Sequence, residues 1–122
     1  MFKGINLSET VDYVSPNDKG EPKTIAKLGA LDGDVFDFVV SREHPLKIAA
    51  EAVRFGLKGL ENFKDGNGNL VKFDTVSRAF SNGYNYKVVS DNIMKILPPE
   101  LKSEWAAEIL KISKLSEEEQ KN

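Results

Sequence analysis

Residues 45 to 62 read PLKIAAEAVRFGLKGLEN and hold the strongest secondary-structure signal of this 122-residue chain. Apolar side chains recur every three or four positions, which places them on one face of a helix. Pro45 suits the first turn of a helix, where its missing N–H would have no helical partner. We therefore predict a long central helix over residues 45 to 62. Its apolar stripe comprises Leu46, Ala49, Ala50, Val53, Leu57 and Leu60, widened by Ile48, Ala52 and Phe55.

A short β-hairpin is predicted on the N-terminal side of this helix. Residues 10 to 14 alternate polar with apolar, and residues 24 to 31 place Ile25 inward. Between them, residues 15 to 23 hold two prolines, a glycine and an Asn-Asp pair, a composition typical of a turn or loop. The open edge of such a hairpin offers unpaired N–H and C=O groups to another chain.

Three further helices are predicted from caps and apolar spacing. Asp32 can cap a helix with Val35, Phe36, Val39 and Val40 on one side. Because several of these residues are β-branched, a strand is the alternative prediction for this segment. Ser90 caps a short helix that runs to Leu97. From Pro99 to residue 113 a helix buries Leu101, Trp105, Ile109 and Ile112 and turns Glu104, Glu108 and Lys111 outward. Residues 116 to 119 fit a capping box for one more turn.

The remaining segments are predicted as loops. Residues 64 to 74 open with turn formers and then place Val71 and Phe73 on a small extended piece, and residues 81 to 87 form an irregular loop. The predicted fold is therefore α+β and mainly helical, with a short N-terminal β-hairpin packed on a bundle of about four helices. We expect one domain over residues 1 to 122, divided into a hairpin-containing part (1 to 31), a helical core (32 to 115) and a charged C-terminal end (116 to 122).

The composition narrows the classes of function. The chain has no cysteine, which excludes disulfides, thiolate zinc sites and a cysteine nucleophile. No window approaches the ~20 apolar residues that span a bilayer, so no membrane role and an intracellular location are expected. The net charge is −2, and the basic residues form no block that would match a phosphate backbone.

Candidate catalytic and metal-binding groups have simpler structural interpretations. His44, the single histidine, stands before Pro45 and suits a helix cap. The aspartates at 32, 34 and 37 fit the first turn of a helix better than a magnesium site. The loop from Asp65 fails the EF-hand spacing in either register, and no phosphate-binding glycine motif is present. We predict no catalytic residue, no cofactor and no metal.

Macromolecular contacts are the favoured mode of action. The second strand of the hairpin supplies Thr24, Ile25 and Lys27 as candidate partner-binding residues, and the polar loop at 81 to 87 supplies Tyr84 and Tyr86, which would face the same way if extended. Nucleic acid is not expected as a partner, because the helix after Pro99 would turn its glutamates toward the phosphates. A weak basic strip of Arg78, Lys87 and Lys95 leaves DNA binding as a minor alternative. A small enzyme with a carboxylate-only site is another alternative.

Three stretches together resemble small proteins from the structural-gene modules of tailed bacteriophages and prophages. They are SETVDYV at 8 to 14 with EPKT at 21 to 24; VRFGL at 53 to 57 with NFKD at 62 to 65 and the run to Phe73; and LPPEL at 97 to 101 with LSEEEQKN at 115 to 122.

The resemblance implies a non-enzymatic role in the phage particle or its assembly. We expect a neck or tail component of the virion, a head–tail connector type of structural protein, found in the virion and in the bacterial host cytoplasm. Its partners would be other phage structural proteins, with a homo-oligomer in the particle as a further expectation. The alternative is a tail assembly chaperone that binds the tape-measure protein and then leaves.

Overall fold

The structure, a computed structural model, describes the backbone of residues 4 to 121 and the side chains of residues 4 to 114. Within this part of the chain the fold is α+β, with four helices and two antiparallel sheets. The elements are β1 (Thr10–Tyr13), β2 (Ile25–Gly29), α1 (Gly33–Val40), α2 (Pro45–Gly56), β3 (Leu57–Glu61), β4 (Thr75–Ala79), β5 (Asn85–Val89), α3 (Asp91–Met94) and α4 (Pro99–Lys121). The α+β class is confirmed. The predicted arrangement was a bundle of about four helices with a single hairpin, whereas the structure has a three-stranded sheet and a separate hairpin.

The N-terminal sheet has the strand order β1-β2-β3, and β2 runs antiparallel to both neighbours. The predicted pairing of residues 10 to 14 with residues 24 to 31 is therefore confirmed. Strand alternation turns Ala26 and Leu28 toward the core, where both are fully buried, and places Lys27 on the opposite face. Since β2 is the central strand, β1 and β3 are the edges of this sheet.

The predicted helix over residues 45 to 62 is wrong after Gly56, because Leu57–Glu61 form β3. Leu57 and Leu60 stand three apart, a spacing that suits a helical stripe, yet they pair with Leu28 and Ala26 of β2 across a register irregularity. Burial against the sheet outweighs the weak helix preference of this segment, which contains Gly59. The left-handed backbone of Asn62, with φ of 59°, follows the end of the strand.

The helices α2 and α4 pack closely against each other, and α4 also packs on β2. A Cβ atom placed on Gly56 would lie 2.6 Å from Cγ2 of Ile109, so the glycine permits this approach. Trp105 and Ile109 are almost fully buried, at 1% and 0% exposure, as the apolar stripe predicts. They belong to one apolar cluster that extends from β2 to α4.

A second hairpin joins β4 and β5, where the sequence predicted an irregular loop over residues 81 to 87. The turn is closed by the N–H of Phe80, which donates to the Tyr84 carbonyl at 2.9 Å, and it uses Gly83 with φ of 89°. The small strand predicted around Val71 and Phe73 is reduced to one isolated bridge between Lys64 and Leu70.

The smaller helices follow their predicted caps with some changes of length. Asp32 caps α1 through Oδ1, which accepts from Val35 N at 2.8 Å, so the alternative of a strand is wrong. α3 ends at Met94 instead of Leu97, and Ser90 makes no side-chain cap hydrogen bond. α4 continues past residue 113 to Lys121. The side chains of the predicted capping box at 116 to 119 lie outside the described side chains.

None of the helices in the described part of the chain has an apolar stretch long enough to cross a membrane.

Candidate functional site

The predicted contact residues Thr24, Ile25 and Lys27 lie at or in β2, the central strand. The Nζ atom of Lys27 is 3.0 Å from Asp12 on β1 and 3.3 Å from Glu61 on β3, so this side chain ties the three strands together. The hydrogen bond to Asp12 raises the pKa of Lys27 most, and the hydrogen bond to Glu61 raises it further. Thr24 donates its hydroxyl to the carbonyl of Asn62 at 2.8 Å. Thr24 and Lys27 thus have hydrogen-bond partners within the protein. The binding of another protein by Thr24, Ile25 and Lys27 stays a prediction.

The two predicted tyrosines do not share one environment. Tyr84 is 68% exposed in the turn before β5. Tyr86 instead donates its hydroxyl to Asp32 Oδ2 at 2.6 Å and accepts from Asn82 at 2.8 Å. Its ring packs edge-on against Phe55 and Phe80. Burial is the main cause that raises the pKa of Tyr86, and the hydrogen bond to Asp32 raises it further. Tyr86 thus attaches the second hairpin to α1, and only Tyr84 projects into solvent.

Three of the polar groups considered from sequence, namely His44, Asp65 and Arg78, have hydrogen-bond partners within the protein. His44 accepts a hydrogen bond from Leu46 N at its Nδ1, which is the predicted cap. Asp65 accepts from the N–H groups of Asn67 and Asn69, as an Asx turn requires. Arg78 of the suggested basic strip donates to both carboxylate oxygens of Glu51, at 3.2 and 3.3 Å. Among the described residues, no three histidine or carboxylate side chains converge as metal ligands.

The edge strand β1 is the first candidate site that the fold creates. Within the described residues it pairs only with β2, so its outer backbone groups face away from the sheet. Three apolar side chains in and around it are exposed: Leu7 by 53%, Val11 by 45% and Val14 by 43%. The sequence predicted an open hairpin edge but assigned the contact residues to β2. The open edge of this hairpin belongs to β1, because the other side of β2 pairs with β3.

A cavity of about 390 Å³ is the second candidate site. It lies between the β1–β2 connection and the N-terminal half of α4, and we call it the loop–helix cavity. Its lining residues are Ser15, Asn17, Asp18, Thr24, Phe63, Pro98, Glu100, Leu101, Glu104 and Trp105. Ser15 donates to Glu104 Oε1 at 3.0 Å, and Asn17 donates to the same oxygen at 3.4 Å. These bonds hold the connection against the helix.

The position of Glu104 corrects the prediction that this side chain points outward. The connection after β1 returns across α4 and covers it, a contact between residues 89 positions apart that no local pattern contains. Its Oε2 atom is enclosed and accepts no hydrogen bond of good geometry. The Tyr13 hydroxyl approaches this carboxylate without reaching such geometry. Burial raises the pKa of Tyr13, and the Glu104 carboxylate raises it further.

Asp18 has a different role in the same cavity. Its carboxylate accepts from Thr24 N at 2.8 Å and from Gly20 N at 2.9 Å, so it shapes the connection that forms one wall. The hydrogen bond from Thr24 N, and to a smaller extent the one from Gly20 N, lower the pKa of Asp18 from its ordinary value of 3.8.

The fold thus provides an exposed strand edge that can add a strand and a mixed polar and apolar cavity that can enclose a small group. Comparison with known proteins finds no family model, no curated protein and no solved structure that matches this chain.

Proposed function

We propose that this chain is a non-enzymatic structural or assembly protein of a tailed bacteriophage or prophage, a neck or tail component of the virion that acts through protein–protein contacts. The phage context is supported by the sequence resemblance at residues 8 to 14, 53 to 57 and 97 to 101. The mode of contact is supported by the exposed edge of β1, and this observation carries the proposal.

An edge strand binds another chain by main-chain hydrogen bonds. The incoming segment continues the sheet, and its side chains occupy alternate positions that give specificity. Natural proteins commonly protect such edges with lysine or proline. The four residues of β1, Thr10–Tyr13, contain neither. The edge is therefore chemically open to an added strand.

The side chains around β1 indicate what kind of segment would add to it. Val11 lies opposite Leu28 in the register, so it is on the core-facing side of the sheet although it is nearly half exposed. Leu7 and Val14 are exposed apolar residues that flank the two ends of the strand. An extended segment with an apolar residue beside Val11 would cover the exposed part of that side chain. β4 also has an unpaired edge among the described strands, but only Val76 is a large exposed apolar residue there.

Co-purification with phage particles tests the proposal. Val11→Lys places a charge in the docking strand and should reduce incorporation into particles by about ten-fold, equivalent to 1.4 kcal/mol of binding free energy. Val40→Lys is the matched control, because Val40 has 44% exposure but lies on α1. Both variants should melt within a few degrees of the wild type, since neither changes a buried side chain.

Four outcomes would count against the proposal in different ways. Normal incorporation of Val11→Lys would exclude β1 as the docking strand. Co-purification with the tape-measure protein but absence from finished particles would identify the alternative, a tail assembly chaperone. A gene neighbourhood without portal, capsid or tape-measure genes, or turnover of a substrate by the purified protein, would contradict the phage structural role itself.

A further inference from the structure

We propose that Asn67 is a site of spontaneous deamidation in the folded protein, whereas hydrogen bonds protect Asn82 from the same reaction. The inference does not depend on the phage role or on the β1 edge. These are the two asparagines of the chain that a glycine follows, as Asn67-Gly68 and Asn82-Gly83. An asparagine reacts with the backbone nitrogen of the next residue, and a glycine leaves that nitrogen least hindered because it has no Cβ atom.

Deamidation of Asn67 needs no enzyme and consumes one water molecule. The backbone nitrogen of Gly68 attacks Cγ of Asn67 and forms an N–Cγ bond. The Cγ–Nδ2 bond breaks, and the side-chain nitrogen leaves as ammonia after taking up the proton that the attacking nitrogen loses. Water then opens the resulting succinimide ring at either carbonyl, which gives aspartate or isoaspartate. Both products carry a negative charge where the asparagine was neutral.

The two Asn-Gly turns have similar backbone geometry. Gly68 and Gly83 both have positive φ, at 83° and 89°. Their N–H groups donate to the carbonyls of Asp65 and Phe80, at 3.0 Å in each case. Each turn must therefore release one such hydrogen bond before its glycine nitrogen can attack. The difference between the sites lies in the asparagine side chains and in the segments that carry them.

Three hydrogen bonds hold the side chain of Asn82. Its Nδ2 atom donates to Asp34 Oδ2 at 2.9 Å and to the Tyr86 hydroxyl at 2.8 Å, and its Oδ1 atom accepts from Tyr84 N at 2.9 Å. The residue is also partly buried. The reaction requires Cγ to turn toward Gly83 N, which breaks hydrogen bonds at both ends of the amide group and slows the attack.

The side chain of Asn67 is exposed and unrestrained. Among the described residues, Asn67 bonds through its backbone N–H, which donates to Asp65 Oδ1 at 2.9 Å, and its side chain has no hydrogen-bond partner. A single bridge between Lys64 and Leu70 closes its loop, whereas a full strand ladder closes the turn at Asn82. Segments with few such bonds open locally at lower free energy. Both differences favour reaction at Asn67.

The consequences of deamidation also differ between the two sites. A carboxylate at position 82 would face the carboxylate of Asp34 and would remove the donor that Asp34 and Tyr86 share. A carboxylate at position 67 would lie on an exposed loop and disturb no buried side chain. The protein should therefore accumulate a more acidic form that is still folded and melts within a few degrees of the unmodified protein.

Tryptic peptide mapping measures both sites in one sample. Cleavage after lysine and arginine places them in separate peptides, residues 65 to 72 and 79 to 87. The folded protein is incubated at mildly alkaline pH, and fragment masses locate each change of amide to carboxylate. We expect Asn67 to convert about ten-fold faster than Asn82 or more, because only Asn82 must break side-chain hydrogen bonds. In guanidinium chloride, which removes the fold, the two rates should become similar.

Substitution assigns the protection of Asn82 to its side-chain bonds. Asp34→Ala removes one acceptor and should raise the rate at Asn82 by about two- to ten-fold while leaving the rate at Asn67 unchanged. Asp37→Ala is the matched control. Asp37 is exposed on the same helix and lines the same small cavity as Asn82, but it has no hydrogen bond to Asn82.

The proposal is overturned if the folded protein converts Asn82 as fast as Asn67, or if Asn67 converts no faster than Asn69 and Asn85 in the same two peptides. It is also overturned if the ratio of the two rates is equal with and without denaturant, or if Asp34→Ala leaves the rate at Asn82 unchanged. Should Asp34→Ala fail to fold, the comparison of folded with denatured wild type decides alone.

Discussion

The close approach of α2 and α4 makes Gly56→Ala a sharp test of the fold. The added methyl carbon would lie 2.6 Å from Cγ2, 2.7 Å from Cδ1 and 3.0 Å from Cγ1 of Ile109. Carbon atoms in proteins make their best contacts at about 3.5 to 4.0 Å. Ile109 is fully buried, so its side chain has little room to move away. The helices must therefore separate or a side chain must leave its preferred rotamer.

Two opposing terms set the size of the effect. Overpacking in a well-packed core costs about 1 to 3 kcal/mol. Alanine is favoured over glycine in helices by up to about 1 kcal/mol, which offsets part of this loss. We expect a net destabilisation of about 1 to 2 kcal/mol, or a fall in melting temperature of roughly 3 to 10 °C.

Chemical denaturation of four variants measures the effect and its cause. Ile109→Ala removes the three clashing atoms, so adding Gly56→Ala in that background should be neutral or stabilising by up to about 1 kcal/mol. Gly33→Ala is the control, because no heavy atom lies within 4 Å of its added carbon. An equal loss of stability from Gly56→Ala in both backgrounds would show that the contact with Ile109 is not the cause.

Four more predictions use other parts of the structure. Trp105→Ala should lower the unfolding free energy by about 3 to 5 kcal/mol, and wild-type emission should be that of a buried indole. Tyr86→Ser should destabilise by about 2 to 4 kcal/mol, because it loses ring packing and the hydroxyl bond to Asp32, whereas Tyr84→Ser should stay within about 0.5 kcal/mol of the wild type. Asp18→Asn should be less stable than the wild type above pH 3.8, with the difference disappearing as the pH falls through the lowered pKa of the folded state, as denaturation at a series of pH values would show. Chelator, calcium or magnesium should leave the melting temperature unchanged.

Each of these predictions has an outcome that contradicts it. Unchanged stability of Trp105→Ala would mean that the α4 stripe does not face the core. Equal effects of the two tyrosine changes would remove the distinction between Tyr84 and Tyr86. A stability difference for Asp18→Asn that persists in strong acid would assign the effect to something other than ionisation. A shift of several degrees with a chelator or a divalent ion would reveal a metal site.

The helices with distinct caps and stripes could be predicted from the sequence. Asp32 with its following apolar residues, and Leu101, Trp105 and Ile109, are local patterns that the fold leaves intact. The pairing of β1 with β2 was also predictable, because alternation on both sides of a proline-rich loop has one simple interpretation.

The errors have two physical causes. Leu57 and Leu60 fit a helical stripe, and only their pairing with β2 makes the segment a strand. The second hairpin carries Asn82-Gly83, which is a strong signal for a tight turn and could have identified it, but the polar composition favoured an irregular loop.

The candidate sites were less predictable than the elements. An open hairpin edge followed from the sequence, but which strand forms it depends on β3, which local patterns did not reveal. The loop–helix cavity requires Ser15 to meet Glu104 across 89 positions, so it exists only in the folded chain.

Asp32 also couples the local unfolding of α1 to that of the second hairpin. One carboxylate oxygen holds the first turn of α1 through Val35 N, and the other holds the second hairpin through Tyr86. Asn82 adds a bond from that hairpin to Asp34 at 2.9 Å. Exposure of either segment breaks bonds of the other, so their amide protons should exchange with solvent together as one cooperative unit. A single aspartate thereby links the local stability of two segments that are separated by α2 and β3 in the sequence.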